Sequence, residues 1–275
     1  MLASEAKRAA VEQWTADPCG YDSEHEPGSR LHMEDLDRGL RGYAPWMDEI
    51  LDYEHTHGLR VLDVGCGQGI DIMRYARAGA HVTGIDLTPR HAELARLHLA
   101  AMGLDATIVD GDAESMPFGE ASFNRVSSNG VLHHTPDMPA ALREIRRVLV
   151  PGGEARVIVY NRRSLHYWLS QVLTQGVLHR QLLEERSMAG VLSRNVEQTS
   201  IGARPLVRVY TASQLRKLLS DAGFVNVHTT VRHFHAEDTP LTGWAASHIQ
   251  WMRSPSVLDS LGRAGGWYVI GYGTR

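Results

Sequence analysis

Three closely spaced glycines follow a run of apolar residues and could form a ligand-binding turn. The run is Val61–Val64, and the glycines are Gly65, Gly67 and Gly69. Glycine lets the backbone approach a ligand at places where a Cβ atom would clash. Asp86 ends the next apolar run, where a carboxylate can accept hydrogen bonds from the two hydroxyls of a ribose. The combination predicts a site for a ribose-bearing ligand.

Three interpretations of this glycine loop compete. An ordinary strand-to-helix turn with incidental glycines would leave the placement of Asp86 unexplained. A dinucleotide-binding loop requires a third glycine at its sixth position, which is Ile70 in this chain. A loop for S-adenosylmethionine needs room for an amino-acid tail instead of a pyrophosphate, and cationic sulfonium and ammonium groups favour nearby carboxylates. The residues favour this third interpretation.

Further motifs carry a family resemblance, and they occur in order as Asp63-Val64-Gly65-Cys66-Gly67-Gln68-Gly69, Gly84-Ile85-Asp86, Gly111-Asp112-Ala113-Glu114, Gly130-Val131-Leu132-His133-His134 and Arg146-Arg147-Val148-Leu149-Val150-Pro151-Gly152-Gly153. In these motifs the chain resembles the class I S-adenosylmethionine-dependent methyltransferases. It is most similar to the methyltransferase type 11 branch, which includes the ubiquinone and menaquinone C-methyltransferases. The resemblance covers about residues 58–160, plus a weaker segment at 221–224. It implies S-adenosylmethionine as the cofactor and says almost nothing about the acceptor.

The resemblance implies a role for each residue at the methionine side of the cofactor. Gly65 and Gly67 would pass the methionine part, and Asp63 would help to hold its ammonium group through the loop. Gly69 completes the loop. Cys66 lies inside it as a small side chain, which we interpret as a packing residue and not as a nucleophile.

The resemblance also assigns the nucleoside side. Asp86 would bind the ribose, and Leu87 would flank the adenine. Asp112 would accept a hydrogen bond from the adenine amino group, with the amide of Ala113 beside it. Asn129 would close the floor of the site at the end of the fourth strand.

Methyl transfer is an in-line displacement, so the protein mainly aligns the acceptor and excludes water; a general base is needed only if the acceptor loses a proton. By the resemblance, His133 is expected to face the cleft as a base or acceptor-orienting group, and His134 is expected to be structural. Tyr160 could reach the acceptor with its hydroxyl or pack in the core. Tyr21 and Trp14 flank a turn and could cover the cofactor or pack against the core.

Strand-like and helical stretches alternate through the middle of the chain. Strands are predicted at residues 60–64, 81–85, 106–109, 122–128, 154–160, 224–231 and 267–272, and helices at 71–78, 89–102, 140–149 and 211–222. This alternation implies right-handed crossovers and a parallel sheet. We therefore expect an α/β, Rossmann-like class I methyltransferase fold with a seven-stranded, mostly parallel sheet, helices on both faces and helical lid additions.

Three segments lie outside this regular alternation. Residues 1–57 are predicted to form an N-terminal helical lid or extension, and residues 58–275 the methyltransferase domain. Within that domain we expect a helical insertion at about 162–207 and a long connection between strands six and seven at about 232–266. These additions could cover the carboxyl edge of the sheet and supply apolar material for an acceptor pocket.

Composition excludes several classes of protein. The 275 residues carry 28 Lys and Arg against 32 Asp and Glu, so nucleic acid is not the expected partner. No apolar run approaches the ~20 residues of a membrane-spanning helix, and the first residues lack the apolar core of a signal peptide, so a cytoplasmic location is expected. The pairs His55-x-His57 and His233-x-His235 have no third ligand at a recognisable spacing. We expect no metal site, and surface positions for these histidines.

The leading hypothesis is an enzyme that methylates a small-molecule or lipid-like acceptor. A catalytically silent protein that binds the cofactor and acts on a partner is the second hypothesis. A macromolecular methyltransferase is the third, but residues 129–132 lack the Asn-Pro-Pro-Tyr type of stretch typical of methylation at base amino groups. No pattern specifies whether the accepting atom is O, N, S or C, or what the oligomeric state is.

Overall fold

The computed structural model describes residues 3–19, 23–197, 201–236 and 254–275, together with residues 239, 242, 243, 248 and 249. Within these residues no helix is long and apolar enough to cross a membrane.

A seven-stranded sheet forms the centre of the molecule. Its strands are β1 (Arg60–Val64), β2 (His81–Asp86), β3 (Thr107–Asp110), β4 (Phe123–Asn129), β5 (Leu149–Tyr160), β6 (Val225–Arg232) and β7 (Tyr268–Thr274). The order across the sheet is β3-β2-β1-β4-β5-β7-β6. Strands β1 to β5 pair in parallel, whereas β7 runs antiparallel to both β5 and β6. The strand order reverses between β1 and β4, and the carboxyl ends of strands at such a switch point form the usual ligand crevice of an α/β sheet.

Helices connect the strands and supply the additions to the sheet. They are α1 (Ala3–Ala16), α2 (Arg30–Tyr43), α3 (Met47–Leu51), α4 (Ile70–Arg77), α5 (Pro89–Met102), α6 (Met138–Val148), α7 (Gln181–Glu185), α8 (Met188–Asn195), α9 (Ala212–Asp221) and α10 (Pro255–Gly265), with a 3₁₀ turn at Tyr53–Thr56 and a π-helix at His166–Leu178. The predicted seven-stranded α/β fold with helices on both faces is confirmed.

Two layers of apolar side chains hold the helices to the sheet. Successive side chains of a strand point to opposite faces, so the neighbours Val61 and Leu62 of β1 enter different layers. Val61 packs in a cluster with Ile72 of α4, and Leu62 packs in a cluster with Leu142 of α6. All four side chains are fully buried. The layers fix the position of the loops at the carboxyl ends of β1 and β4.

The start of β5 differs from the prediction. Residues 151–153 were expected to follow the end of a helix, but they lie inside β5, which begins at Leu149. Leu149 pairs with Phe123, and the register shifts before the next pair, Arg125 with Glu154, so the Pro-Gly-Gly segment forms an irregularity within the strand. Helix α6 also begins earlier than predicted, because the side chain of Asp137 accepts the backbone N–H of Ala140 and caps the helix.

The additions lie beside the sheet as helices. Helices α1 and α2 both contact α5. Helix α10 returns the chain from β6 to β7 and contacts β6. The segment predicted as a helical insertion contains the π-helix, α7 and α8.

Candidate active site

The glycine loop folds back from β1 over the end of β2. The N–H of Gly65 donates to the carbonyl of Ile85 at 2.7 Å. Gly65 has φ +75°, and a Cβ there would lie 2.3 Å from Cγ2 of Val131, so no other residue fits. Gly67 has φ +52°, also in the left-handed region. The loop conformation therefore depends on glycine at both positions.

Asp86 fastens this loop to the end of β2. Its Oδ2 accepts the N–H of Gly67 at 2.8 Å, and its Oδ1 accepts the N–H of Thr88 at 2.9 Å. His91 Nδ1 lies 3.3 Å from the same Oδ1. The carboxylate is buried. A carboxylate offers about four lone-pair sites, so these three contacts leave about one site for a ligand hydroxyl.

Two further carboxylates give this end of the site a negative character. Asp63 is buried in β1 just before the loop, and Ser127 Oγ donates to its Oδ1 at 3.0 Å. Burial raises the pKa of Asp63 well above its usual range, and the charges of Asp71 and Asp86 raise it further. Asp71 lines the cavity and accepts hydrogen bonds from Tyr53 Oη at 2.6 Å and from an amide side chain at 3.0 Å. A cationic ligand group would relieve the repulsion among these carboxylates.

The amide that donates to Asp71 is that of Asn129 at the end of β4. Asn129 Nδ2 also lies 3.4 Å from Met47 Sδ. Sequence reasoning missed Asp71, although its place in the first turn of α4, directly after the glycine loop, was a usable signal.

The loop after β3 contacts helix α1. Lys7 Nζ donates to Asp112 Oδ2 at 2.6 Å and also pairs with Glu114. Burial alone would lower the pKa of Lys7, but the hydrogen bonds to these carboxylates outweigh it and raise the pKa. Sequence reasoning missed Lys7, because the sequence of a helix does not show which of its charged side chains reaches a distant loop.

These groups line one cavity of about 410 Å³. Of the predicted site residues, its walls include Gly65, Cys66, Gly67, Asp86, Leu87, Asp112, Ala113, Asn129 and Tyr160. Asp63 and Gly69 are not among its lining residues: Asp63 accepts a hydrogen bond from Ser127, and Gly69 is the N-cap residue of α4. Tyr21 lies outside the described residues. Burial raises the pKa of Cys66 well above its usual range, as do Asp86 and Asp63, which fits a packing role for this thiol.

The prediction for the histidine pair is wrong in its orientation. His134 lines the cavity, whereas His133 is fully buried. The centroid of the His133 ring lies 3.9 Å from the centroid of the Tyr160 ring. The chain turns after β4 and is held from outside the motif: His134 Nδ1 lies 2.7 Å from the carbonyl oxygen of Leu206, and Arg208 N donates to the His133 carbonyl at 3.0 Å. The segment around Leu206 therefore decides which imidazole reaches the cavity.

Glu197, which follows α8 in the helical insertion, is another cavity residue that the sequence did not reveal. Its Oε1 accepts a hydrogen bond from Tyr160 Oη at 2.6 Å and lies 3.5 Å from His134 Nε2. Ligand atoms of His133, His134 and Glu197 all lie within 4.8 Å of one another, a spacing at which they could hold a metal ion.

The second of the two histidine pairs considered from sequence is not at the surface. His233 is buried, with ring centroids 4.3 Å from Tyr43 and 6.1 Å from Trp46. Burial lowers its pKa to about 3, with further contributions from His235 and His166. The chain folds α2 and α3 over this position, which the local sequence does not show.

Similarity to known proteins identifies the family of this chain. Residues 62–157 match a family model described as a methyltransferase domain. The chain is 32% identical over 166 residues to the ubiquinone biosynthesis O-methyltransferase of Xanthomonas euvesicatoria pv. vesicatoria (strain 85-10), and the match covers 54% of this chain and 70% of that protein. The chain belongs to the S-adenosylmethionine-dependent methyltransferases. Its cofactor is S-adenosylmethionine, and the glycine backbone at the cavity wall, the buried Asp86 carboxylate and the acidic surroundings of Asp63 fit that molecule.

Further similarities cover a shorter stretch of sequence or concern the fold alone. The chain is 42% identical over 109 residues to the malonyl-[acyl-carrier protein] O-methyltransferase of Erwinia pyrifoliae (strain DSM 12163 / CIP 106111 / Ep16/96), covering 40% of each protein. Among solved structures, an S-adenosylmethionine-dependent methyltransferase from Mesorhizobium loti superposes with a TM-score of 0.56 at 18% identity, covering 86% of this chain and all of that one. The [4+2]-cyclase SpnF superposes with a TM-score of 0.55 at 21% identity, covering 99% of this chain and 93% of that one. These two structures share the fold.

Proposed function

We propose that this methyltransferase transfers the methyl group of S-adenosylmethionine to a small, largely apolar molecule. The supporting observation is the composition of the rest of the cavity wall. Besides the glycine loop and the carboxylates, the wall includes the apolar and aromatic side chains of Trp14, Leu40, Tyr43, Met47, Tyr160 and Tyr268. The cavity volume of about 410 Å³ lies in the ordinary range for small-molecule sites, roughly 300–1,000 Å³.

The cofactor-side residues would hold S-adenosylmethionine in the same cavity. Asp86 would accept the ribose hydroxyls, and Leu87, Asp112 and Ala113 would surround the adenine. Asp71, which lines the cavity, would favour the cationic groups of the methionine part. The bound cofactor supplies a methyl group that its sulfonium activates for displacement. The chain's own task is then to orient the acceptor and exclude water.

Helix α1 contributes to the exclusion of water. Lys7, Ala10 and Trp14, which share one side of this helix, all line the cavity. The pairing of Lys7 with Asp112 and Glu114 ties the helix to the loop after β3. Release of this contact would open a path for cofactor exchange.

Oxygen is the accepting atom that the relatives support, because both curated relatives described above are named as O-methyltransferases. The polar groups at the apolar end of the cavity suit a hydroxyl acceptor. Tyr160, His134 and Glu197 lie together there. They can orient an oxygen atom by hydrogen bonds while the aromatic side chains hold the rest of the molecule.

The test uses cofactor carrying a radiolabelled methyl group. The purified protein is incubated with this cofactor and either a filtered small-molecule extract or a protein and nucleic-acid fraction of the same cells. We expect label in a low-mass product that an organic solvent extracts, and none with Asp86→Ala. Label confined to macromolecules would reject the proposal. S-adenosylhomocysteine binding without any label transfer would favour a catalytically silent binding protein.

A further inference from the structure

We propose that His133, His134 and Glu197 bind one divalent transition-metal ion at the acceptor end of the cavity. Their ligand atoms lie within 4.8 Å of one another. His134 and Glu197 line the cavity, and His133 lies directly behind them. The sequence predicted no metal site because Glu197 belongs to the helical insertion, far along the chain from the histidine pair.

The hydrogen bonds of His134 define which of its nitrogens is available. Nδ1 lies 2.7 Å from the carbonyl oxygen of Leu206, so Nδ1 carries a proton and, in the neutral ring, Nε2 presents a lone pair. That nitrogen lies 3.5 Å from Glu197 Oε1. Two ligand atoms at about 2.0–2.2 Å from a tetrahedral ion are separated by roughly 3.4 Å. The gap therefore has the size that a shared cation requires.

His133 supplies an independent observation. Its side chain is fully buried, and within the described residues neither of its ring nitrogens has a hydrogen-bond partner. A buried polar group without a partner is costly. Since a His133 ring nitrogen lies within 4.8 Å of the other two ligand atoms, coordination to the same ion would satisfy it.

The groups around the three ligands favour coordination. Tyr160 Oη donates to Glu197 Oε1 at 2.6 Å and fixes the carboxylate. The carbonyl of Leu206 fixes the ring of His134, as hydrogen-bonded partners of metal-binding histidines usually do. The ring of Tyr160 packs 3.9 Å from that of His133. Each ligand is thus held in place by a neighbour.

The ligand set selects the class of metal. Two imidazole nitrogens and one carboxylate oxygen suit Zn²⁺, Co²⁺, Ni²⁺ or Fe²⁺ better than Mg²⁺ or Ca²⁺, which prefer oxygen ligands. Three protein ligands leave a coordination position open toward the cavity. An acceptor oxygen could take that position and be polarised there. This last step rests on the proposed function, whereas ion binding does not.

The experiment measures ion binding directly, without an acceptor. The untagged full chain is freed of metal with a chelator, the chelator is removed, and Co²⁺ or Zn²⁺ is added. Calorimetry should show one high-affinity ion per chain, and Co²⁺ should develop visible ligand-field absorption. Zn²⁺ should also raise the melting temperature, because an ion that binds only the folded state stabilises it.

Variants separate this site from other histidines of the chain. His134→Ala and Glu197→Gln should each weaken Co²⁺ and Zn²⁺ binding by at least about tenfold. Glu197→Gln keeps the size of the side chain and an acceptor for Tyr160, so it tests the carboxylate without a cavity. The controls are His228→Ala, at an exposed strand position, and Glu93→Gln, on an exposed helix face, which should bind the ions as the original chain does.

Absence of a one-to-one high-affinity complex in the original chain would overturn the proposal. It would equally be overturned if His134→Ala and Glu197→Gln bound Co²⁺ like the controls. The proposed function fails separately, through the labelled-methyl experiment. Methyl transfer to a small molecule by a chain that binds no ion would reject the metal site alone.

Discussion

Replacement of Asp86 by asparagine tests the cofactor site most directly. The buried carboxylate accepts two backbone N–H groups, from Gly67 at 2.8 Å and Thr88 at 2.9 Å. Asparagine has nearly the same shape but offers one acceptor oxygen and a donor NH₂. In Asp86→Asn one of the two backbone donors therefore faces another donor.

Asp86→Asn should lower both the stability of the fold and the affinity for the ligand. A buried donor left without an acceptor costs about 1–3 kcal/mol, so the free energy of unfolding should fall by that amount. Hydrogen bonds from ribose hydroxyls to a charged carboxylate contribute about 1.5–3 kcal/mol. Since about 1.4 kcal/mol corresponds to a factor of ten, S-adenosylhomocysteine should bind roughly 10- to 100-fold more weakly.

The assay is isothermal titration with S-adenosylhomocysteine, together with denaturant unfolding. Asp110→Asn is a matched control because Asp110 ends the neighbouring strand β3 and pairs in register with Asp86. Its carboxylate is half exposed and contacts Arg96 at 2.7 Å, an arrangement worth about 0–1 kcal/mol. The control should bind the ligand normally. Affinity of folded Asp86→Asn within twofold of the original would refute Asp86 as the ribose ligand.

Three further predictions concern the same site. Gly67→Val should abolish S-adenosylhomocysteine binding in calorimetry while the fold persists, because a β-branched residue is strained at φ +52°. Lys7→Met should speed dissociation of the ligand in stopped-flow measurements, because it removes the contact of α1 with Asp112. Burial and the charge of Asp71 raise the pKa of Asp63, and a bound cationic ligand should lower it. Ligand binding should therefore release protons. The affinity should rise with pH as long as the pH is below the pKa of Asp63 in the ligand-free protein. Calorimetry in buffers of different ionisation enthalpy measures this release, which Asp63→Asn should remove.

Each of these predictions has a contrary outcome. Unchanged affinity in folded Gly67→Val would place the ligand away from the loop. A dissociation rate unaffected in Lys7→Met, compared with the exposed replacement Lys217→Met, would show that α1 does not control exchange. Affinity that falls as pH rises, or proton release that persists in Asp63→Asn, would reject the electrostatic account of Asp63.

The residues proposed for the cofactor side could be identified from the sequence because their determinants are local. The bounds predicted for α5, residues 89–102, agree with the structure, since Pro89 starts the helix and Gly103 ends it with φ +65°. The glycine loop and Asp86 can be identified in the same way, because they lie at the carboxyl ends of β1 and β2, which the pattern of apolar residues predicts.

The acceptor side was not predictable from the motif that suggested it. The prediction named His133 instead of His134 as the cavity residue, because the contacts that orient the pair come from Leu206 and Arg208, outside the motif. Glu197 was missed for the same reason. A side chain that enters a site from an irregular segment leaves no periodic pattern behind.

The cofactor side and the acceptor side also differ in how far they are covered by the similarity to known proteins. The family model spans residues 62–157, which contain the glycine loop and the residues proposed to bind the ribose and the adenine. Most of the groups that could define the acceptor lie outside that span, on α2, β5, β7 and the insertion: Tyr43, Tyr160, Tyr268 and Glu197. His133 and His134 lie inside the matched span and also belong to the acceptor side. A relative that shares the matched span therefore informs on the cofactor, and its acceptor transfers to this protein only where it also has equivalents of these four side chains.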